Sequence, residues 1–153
     1  MKDITKKTVR FALLGFTLAI LASSFAGSAE FEFKGSRAET LKFMEYYAAI
    51  ELTPAQEAIR VKALENMPAP CCGKFPAATC CCECNLSRSM WGLAKHLIAE
   101  EGADAKRVRR AVDAWVSAIA PAGHNGHSCP TGRCGKGFKD GGCGGMRADK
   151  LID

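Results

Sequence analysis

Apolar positions recur at helical spacing in four stretches of this chain. Over residues 37–52, Leu41, Met44, Ala48 and Leu52 form one row and Phe43, Tyr47 and Ile50 a second, which predicts a helix packed on more than one side. Thr53-Pro54-Ala55-Gln56 then reads as a capping box, with Thr as N-cap, Pro at the first helical position and Gln three residues on. The second helix should run to about Asn66, stopped by Pro68 and Pro70. Asn85 is the predicted N-cap of a third helix, with Leu86, Met90, Leu93, Ala94 and Leu97 along one face and Gly102 as terminator. Asp104 is predicted to cap a fourth, whose core face is Val108, Ala111, Val112, Trp115 and Ile119 and which Pro121 ends. No alternating strand pattern is found, and residues 30–36 read as an irregular lead-in.

The predicted fold class is therefore all-α, a small four-helix domain over residues 30–121. Residues 122–153 form an irregular tail rich in Cys, His and Gly, without hydrophobic periodicity and unable to bury a core of its own. So modest a core would gain from crosslinks or metal.

The first 29 residues stand apart. Lys2, Lys6, Lys7 and Arg10 precede an apolar run over residues 11–22, and small residues follow, with Ala26-Gly27-Ser28 or Gly27-Ser28-Ala29 as cleavage motifs. This predicts a signal peptide and an exported, periplasmic or otherwise extracytoplasmic protein. The alternative is an uncleaved anchor, the one case in which a membrane would be a partner. No lipobox cysteine and no twin-arginine pair is present.

That segment holds four of the 21 basic residues and one of the 16 acidic ones, so without it the formal charge falls from +5 to +2. The basicity belongs largely to the leader. No basic stripe is left for a nucleic-acid partner.

Sulfur changes the picture most. Of nine cysteines, six lie within fourteen residues: Cys71, Cys72, Cys80, Cys81, Cys82 and Cys84. Adjacent cysteines pair poorly with each other, because a relaxed disulfide wants a Cα separation near ~5.5 Å and chain neighbours stand about 3.8 Å apart. Each thiol must find a distant partner, bind a metal or stay reactive. Cys82 and Cys84 fall at the predicted start of the third helix, where the positive end of the macrodipole would favour thiolate. Cys81 and Cys84 form a C-x-x-C pair, the spacing of thioredoxin-type sites and of half a zinc site.

A second set follows in the tail: His124, His127, Cys129, Cys134 and Cys143. Imidazole and thiolate suit copper(I) or zinc, whereas calcium and magnesium want oxygen ligands that this segment nearly lacks. No C-x-x-C-H occurs, so covalent haem attachment is not indicated, and an iron–sulfur cluster does not suit a leader without twin arginines. Plainer readings stand beside these. Four disulfides could staple a small exported domain, with one cysteine left over. His124 and His127 could be solvated, His96 reads as exposed, and Trp91 and Trp115 read as core aromatics. Lys106, Arg107, Arg109 and Arg110 read as a solvated helix face.

The order of parts over residues 53–119 resembles two families of exported bacterial helical proteins, the PCYCGC-motif proteins and the cytochrome c maturation thiol proteins. The residues that carry it are the capped helix at Thr53, Pro70-Cys71-Cys72, Cys80-Cys81-Cys82-Glu83-Cys84, then Glu100-Glu101-Gly102-Ala103-Asp104 and Val108-Arg109-Arg110-Ala111-Val112. The literal PCYCGC string is absent. The resemblance implies a redox role for Cys81 and Cys84.

Three functions follow as expectations. The first is a non-enzymatic exported metal-handling protein taking copper(I) or zinc through the six clustered cysteines together with Cys129, Cys134, Cys143, His124 and His127. The second is a thiol–disulfide oxidoreductase or thiol reductant acting on another exported protein through Cys81 and Cys84. The third is a disulfide-stapled module that binds another protein.

Overall fold

The computed structural model describes residues 30–70, 72–119 and 135–152, with Cys72 described by its backbone alone. Helices α1 (Arg37–Ala49), α2 (Pro54–Leu64), α3 (Asn85–Ala99) and α4 (Ala105–Ile119) follow in chain order. Between α2 and α3 lie two short strands, β1 (Pro68–Ala69) and β2 (Cys72–Pro76), then a 3₁₀ turn over Ala77–Thr79. The predicted leader, its expected cleavage and the anchor alternative lie outside the described residues, and among those residues no helix is long and apolar enough to cross a membrane.

The predicted helix starts are built as their residues dictate. The Thr53 hydroxyl accepts from the Gln56 amide at 3.3 Å and the Gln56 side chain accepts from the Thr53 amide at 3.0 Å, which closes the capping box. The Asp104 carboxylate accepts from the Arg107 amide at 2.7 Å and so caps α4. Gly102 takes the left-handed conformation, φ 62°, that turns the chain out of α3. Ser36 opens α1 with a second capping box through Glu39.

The antiparallel hairpin corrects the expectation of helices alone. Pro68 pairs with Pro76 and Ala69 with Cys72, and the Ala77 amide extends the ladder by donating to the Met67 carbonyl at 2.6 Å. One arm is only two residues long, too short to show alternation, and prolines sit on both arms. Among the described residues the fold is four helices with a small two-stranded sheet, and the segment between α2 and α3 that carries the cysteine cluster is not α-helical.

Helix α3 is the central element. It buries the predicted row Leu86, Met90, Leu93, Ala94 and Leu97, and also Asn85, Ser87, Ser89, Trp91, Gly92 and Ile98. Burial on so many sides requires its polar groups to find partners. The Ser89 hydroxyl donates to the Leu86 carbonyl and accepts from Trp115 Nε1 at 3.1 Å, and Trp91 Nε1 donates to the Ala77 carbonyl at 2.7 Å. Both tryptophans are core residues, and α4 presents the predicted face of Val108, Ala111, Val112, Trp115 and Ile119.

The inner face of α1 differs from expectation. Thr40, Phe43 and Met44 are buried while Leu41 is 36% exposed. Phe43 meets Trp115 edge to face at 4.8 Å, and this contact sets the rotation of α1 about its axis. Thr40 can turn inward because its hydroxyl donates to the Ser36 carbonyl at 3.1 Å. The lead-in is irregular but not idle, since Phe33 also packs edge to face on Phe43 and Trp115.

One surface reading is also revised. His96 is half-buried, stacked on Tyr46 with ring centroids 4.2 Å apart, and lies 3.6 Å from Glu101. The basic run lies on the solvated face of α4 as expected, where Arg107 and Arg110 hold Glu30 and Arg109 holds Asp113.

The described tail, residues 135–152, is part of the domain. Phe138, Cys143 and Leu151 are buried in the same core as the helices. A segment without periodicity thus supplies three core side chains by packing against the helices.

Candidate thiol site at the start of helix α3

The thiol turn occupies residues 80–84, between the 3₁₀ turn and α3. Its ends are fixed by the packing of α2 and α3. Arg60 on α2 forms a fork with Glu57, lies over the Trp91 ring and donates to the Ala78 carbonyl at 3.1 Å. On the other side, the Ser87 hydroxyl faces the Cys82 carbonyl at 3.0 Å and the Cys84 carbonyl at 2.9 Å. Glu83 points the opposite way, accepting from the Tyr47 hydroxyl at 2.6 Å with Arg88 at 3.8 Å. Burial, then the hydrogen bond to Glu83 and its charge, push the Tyr47 phenol up to about 12.

Within this frame the sulfurs are graded in exposure. Cys81 is exposed, Cys80 and Cys82 are half-buried, and Cys84 is 1% exposed. Cys81 Sγ lies 3.9 Å from Cys82 Sγ, and the Cys80 thiol donates weakly to the Ala77 carbonyl at 3.6 Å.

Asn85 departs from its predicted role. The N-cap of α3 is Cys84, whose side chain makes no capping bond, and Asn85 is the first helical residue. Carbonyls from the tail do the capping instead. The Asn85 amide donates to the Gly145 carbonyl at 2.9 Å and the Leu86 amide to the Cys143 carbonyl at 3.0 Å. With acceptors supplied from some sixty residues along the chain, the position has no need of a capping side chain.

These contacts bring Cys143, itself 3% exposed, to the start of the helix that follows the thiol turn. They also supply acceptors to the first two amides of α3, the helix end expected to favour thiolate at Cys82 and Cys84. Cys80 is the opposite of an activated thiol. Burial, helped by the charges of Cys84 and Cys81, pushes it up from an ordinary 9.0 to about 12. A folded pKa above the unfolded one contributes stability that is full below pH 9 and is lost as pH rises towards 12. The metal-free, reduced protein is therefore expected to lose stability above pH 9, and Cys80→Ser to flatten that limb, in urea melts run across alkaline pH.

Of the predicted site residues, Cys80, Cys81, Cys82, Cys84 and Cys143 lie in or against one region. Cys71, Cys129, Cys134, His124 and His127 lie outside the described residues, as does the Cys72 side chain. Among the described residues, no group of three or more Cys, His, Asp or Glu side chains converges as a ready metal cage. The donor set suits a soft cation in chemistry, five thiols with no competing carboxylate except Glu83.

Sequence reasoning passed over the residues that frame this site: Tyr47, Ser87, Arg88 and the positioning contacts of Asn85. Glu83 was visible only as the one charged residue inside the C-C-C-E-C string. In comparisons with known proteins, no family model, no curated protein and no solved structure matches the chain.

Proposed function

We propose that this is an exported soft-metal-handling protein, a binder or chaperone carrying copper(I) or zinc as cargo. The thiolates of Cys80, Cys81, Cys82 and Cys84 provide the main donors and Cys143 joins them from the tail. Cys71, Cys72, Cys129, Cys134, His124 and His127 are the further donors available to the same ion or a second one. The observation that supports this reading best is the docking of the tail through the Leu86–Cys143 and Asn85–Gly145 backbone bonds, which brings the backbone of Cys143 to the start of α3, next to the turn that carries four cysteines. Thiolate-rich donor sets favour copper(I) and zinc over hard cations, and metal binding displaces the thiol protons.

The test is metal content beside thiol content. Protein purified anaerobically after expression with copper(I) or with zinc should retain at least one ion per chain, with the thiols protected from alkylation until a chelator removes it. Replacing Cys80, Cys81, Cys82 and Cys84 together by Ser should abolish retention. No retained metal and at most one alkylatable thiol would sink the proposal.

A second reading, thiol–disulfide exchange with an exported partner, is favoured by one observation, the exposure of Cys81 beside Cys82. It predicts a mixed disulfide trapped by Cys82→Ser or Cys84→Ser, and no such adduct under the metal reading.

A further inference from the structure

We infer that Asn85 is the positioning residue of this site: its carboxamide docks residues 136–152 as a strap and so holds Cys143 against the thiol turn. The functional half of this inference rests on the soft-metal reading, and the docking half on geometry alone. Asn85 is fully buried, and its Nδ2 faces three strap carbonyls, Gly144 at 2.8 Å, Arg147 at 3.0 Å and Lys150 at 3.2 Å. Its Oδ1 accepts from Arg88 Nη1 at 3.2 Å, and the same nitrogen donates to the Met146 carbonyl at 2.8 Å. The Asn85 and Leu86 amides complete the seam.

Three oxygens converging on one nitrogen leave room only for a donor. The strap is shaped to reach it. Gly144 and Gly145 have φ of 72° and 93°, and a Cβ on Gly144 would stand 2.6 Å from the Phe138 ring. Leu151 also turns inward, and its carbonyl accepts from Arg37 Nη1 at 3.2 Å. Because Cys143 lies inside this seam, docking of the strap and binding of an ion through Cys143 favour each other by the same factor.

Asn85→Asp separates the contributions. It is nearly isosteric and suits the first turn of a helix, but it sets an acceptor against three carbonyl oxygens. In the full-length, reduced, metal-free protein, hydrogen exchange at the Gly142, Gly144 and Ile152 amides should accelerate about 100-fold, while α4 keeps its protection. Should Asn85→Asp also strip protection from α4, Asn85→Ala removes the donor without adding charge and gives the same reading.

The second arm is a zinc titration of a double-mutant cycle. Cys143→Ser should weaken zinc binding about tenfold in the native background and add nothing to Asn85→Asp. Unchanged strap exchange, or fully additive losses, would overturn the inference. Accelerated strap exchange in a protein that binds no zinc would instead leave the docking role standing and remove the metal function.

Discussion

Gly92→Ala is expected to be the most damaging single-methyl change in this protein. Helix α3 meets α1 at Gly92, and this pair makes the most extensive helix–helix contact of the domain. A Cβ at Gly92 would lie 1.7 Å from the Phe43 carbonyl oxygen and 2.8 Å from the Tyr47 nitrogen. Those atoms are backbone, joined in the hydrogen-bond ladder of α1, so no side-chain rotation relieves the clash. The helices must separate, which loosens Phe43 on Trp115 as well as the local contact. Alanine's better helix propensity returns about 1 kcal/mol, against an overpacking loss of about 3–5 kcal/mol. In a domain whose whole stability is on the order of 5–15 kcal/mol, urea melts should show a midpoint shifted far down or no cooperative transition. A midpoint within error of wild type would mean that α1 and α3 do not cross here.

The second large effect is at Trp115, where alanine should cost about 3–5 kcal/mol. The residue is fully buried and serves three elements at once. Its ring takes Phe33 from the lead-in at 5.6 Å and Phe43 from α1 at 4.8 Å, both edge to face, and its indole nitrogen bonds Ser89 of α3. Trp115→Phe keeps most of the ring contact and leaves Ser89 its bond to the Leu86 carbonyl, so it should cost less, about 1–2 kcal/mol. Thermal melts of the two variants should therefore separate clearly. Equal losses would mean that the indole nitrogen, rather than the packing, carries the contribution.

What the sequence disclosed about this fold was local. Thr53 with Gln56, Asp104 and Gly102 act within a few residues of themselves, so their roles are readable without knowing what packs where. The α4 face was readable because a single apolar stripe over a polar helix admits one inward side. Helix α1 carries two competing apolar rows, and the choice between them depended on where Trp115 would stand. The hairpin at Pro68 was too short to announce itself. Asn85 looked like a cap because Asn at a helix start usually is one, and its partners lie about sixty residues away.

The candidate site divides in the same way. Its sulfur was plain from composition, and its position between α2 and α3 followed from the helix boundaries. The approach of Cys143 depended on Phe138, Leu151 and the left-handed glycines 144 and 145, none of which forms a periodic signal. The expectation of activated thiols rested on the positive end of the α3 macrodipole. Tail carbonyls take the first two amides of that helix. Those two long-range bonds cap the helix start beside the buried Cys84, and they are the reason the metal reading is preferred to the redox one.

The most direct measurement is the intact mass of the natively purified, full-length expression product, taken under non-denaturing and then denaturing conditions. The pair of spectra counts bound ions, disulfides and any leader cleavage together. The soft-metal reading predicts a native mass above the polypeptide by one or more copper or zinc ions, which fall away on denaturation to leave most of the nine cysteines reduced. A metal-free native mass, short by the eight hydrogens of four disulfides, would contradict it and identify the cysteines as staples.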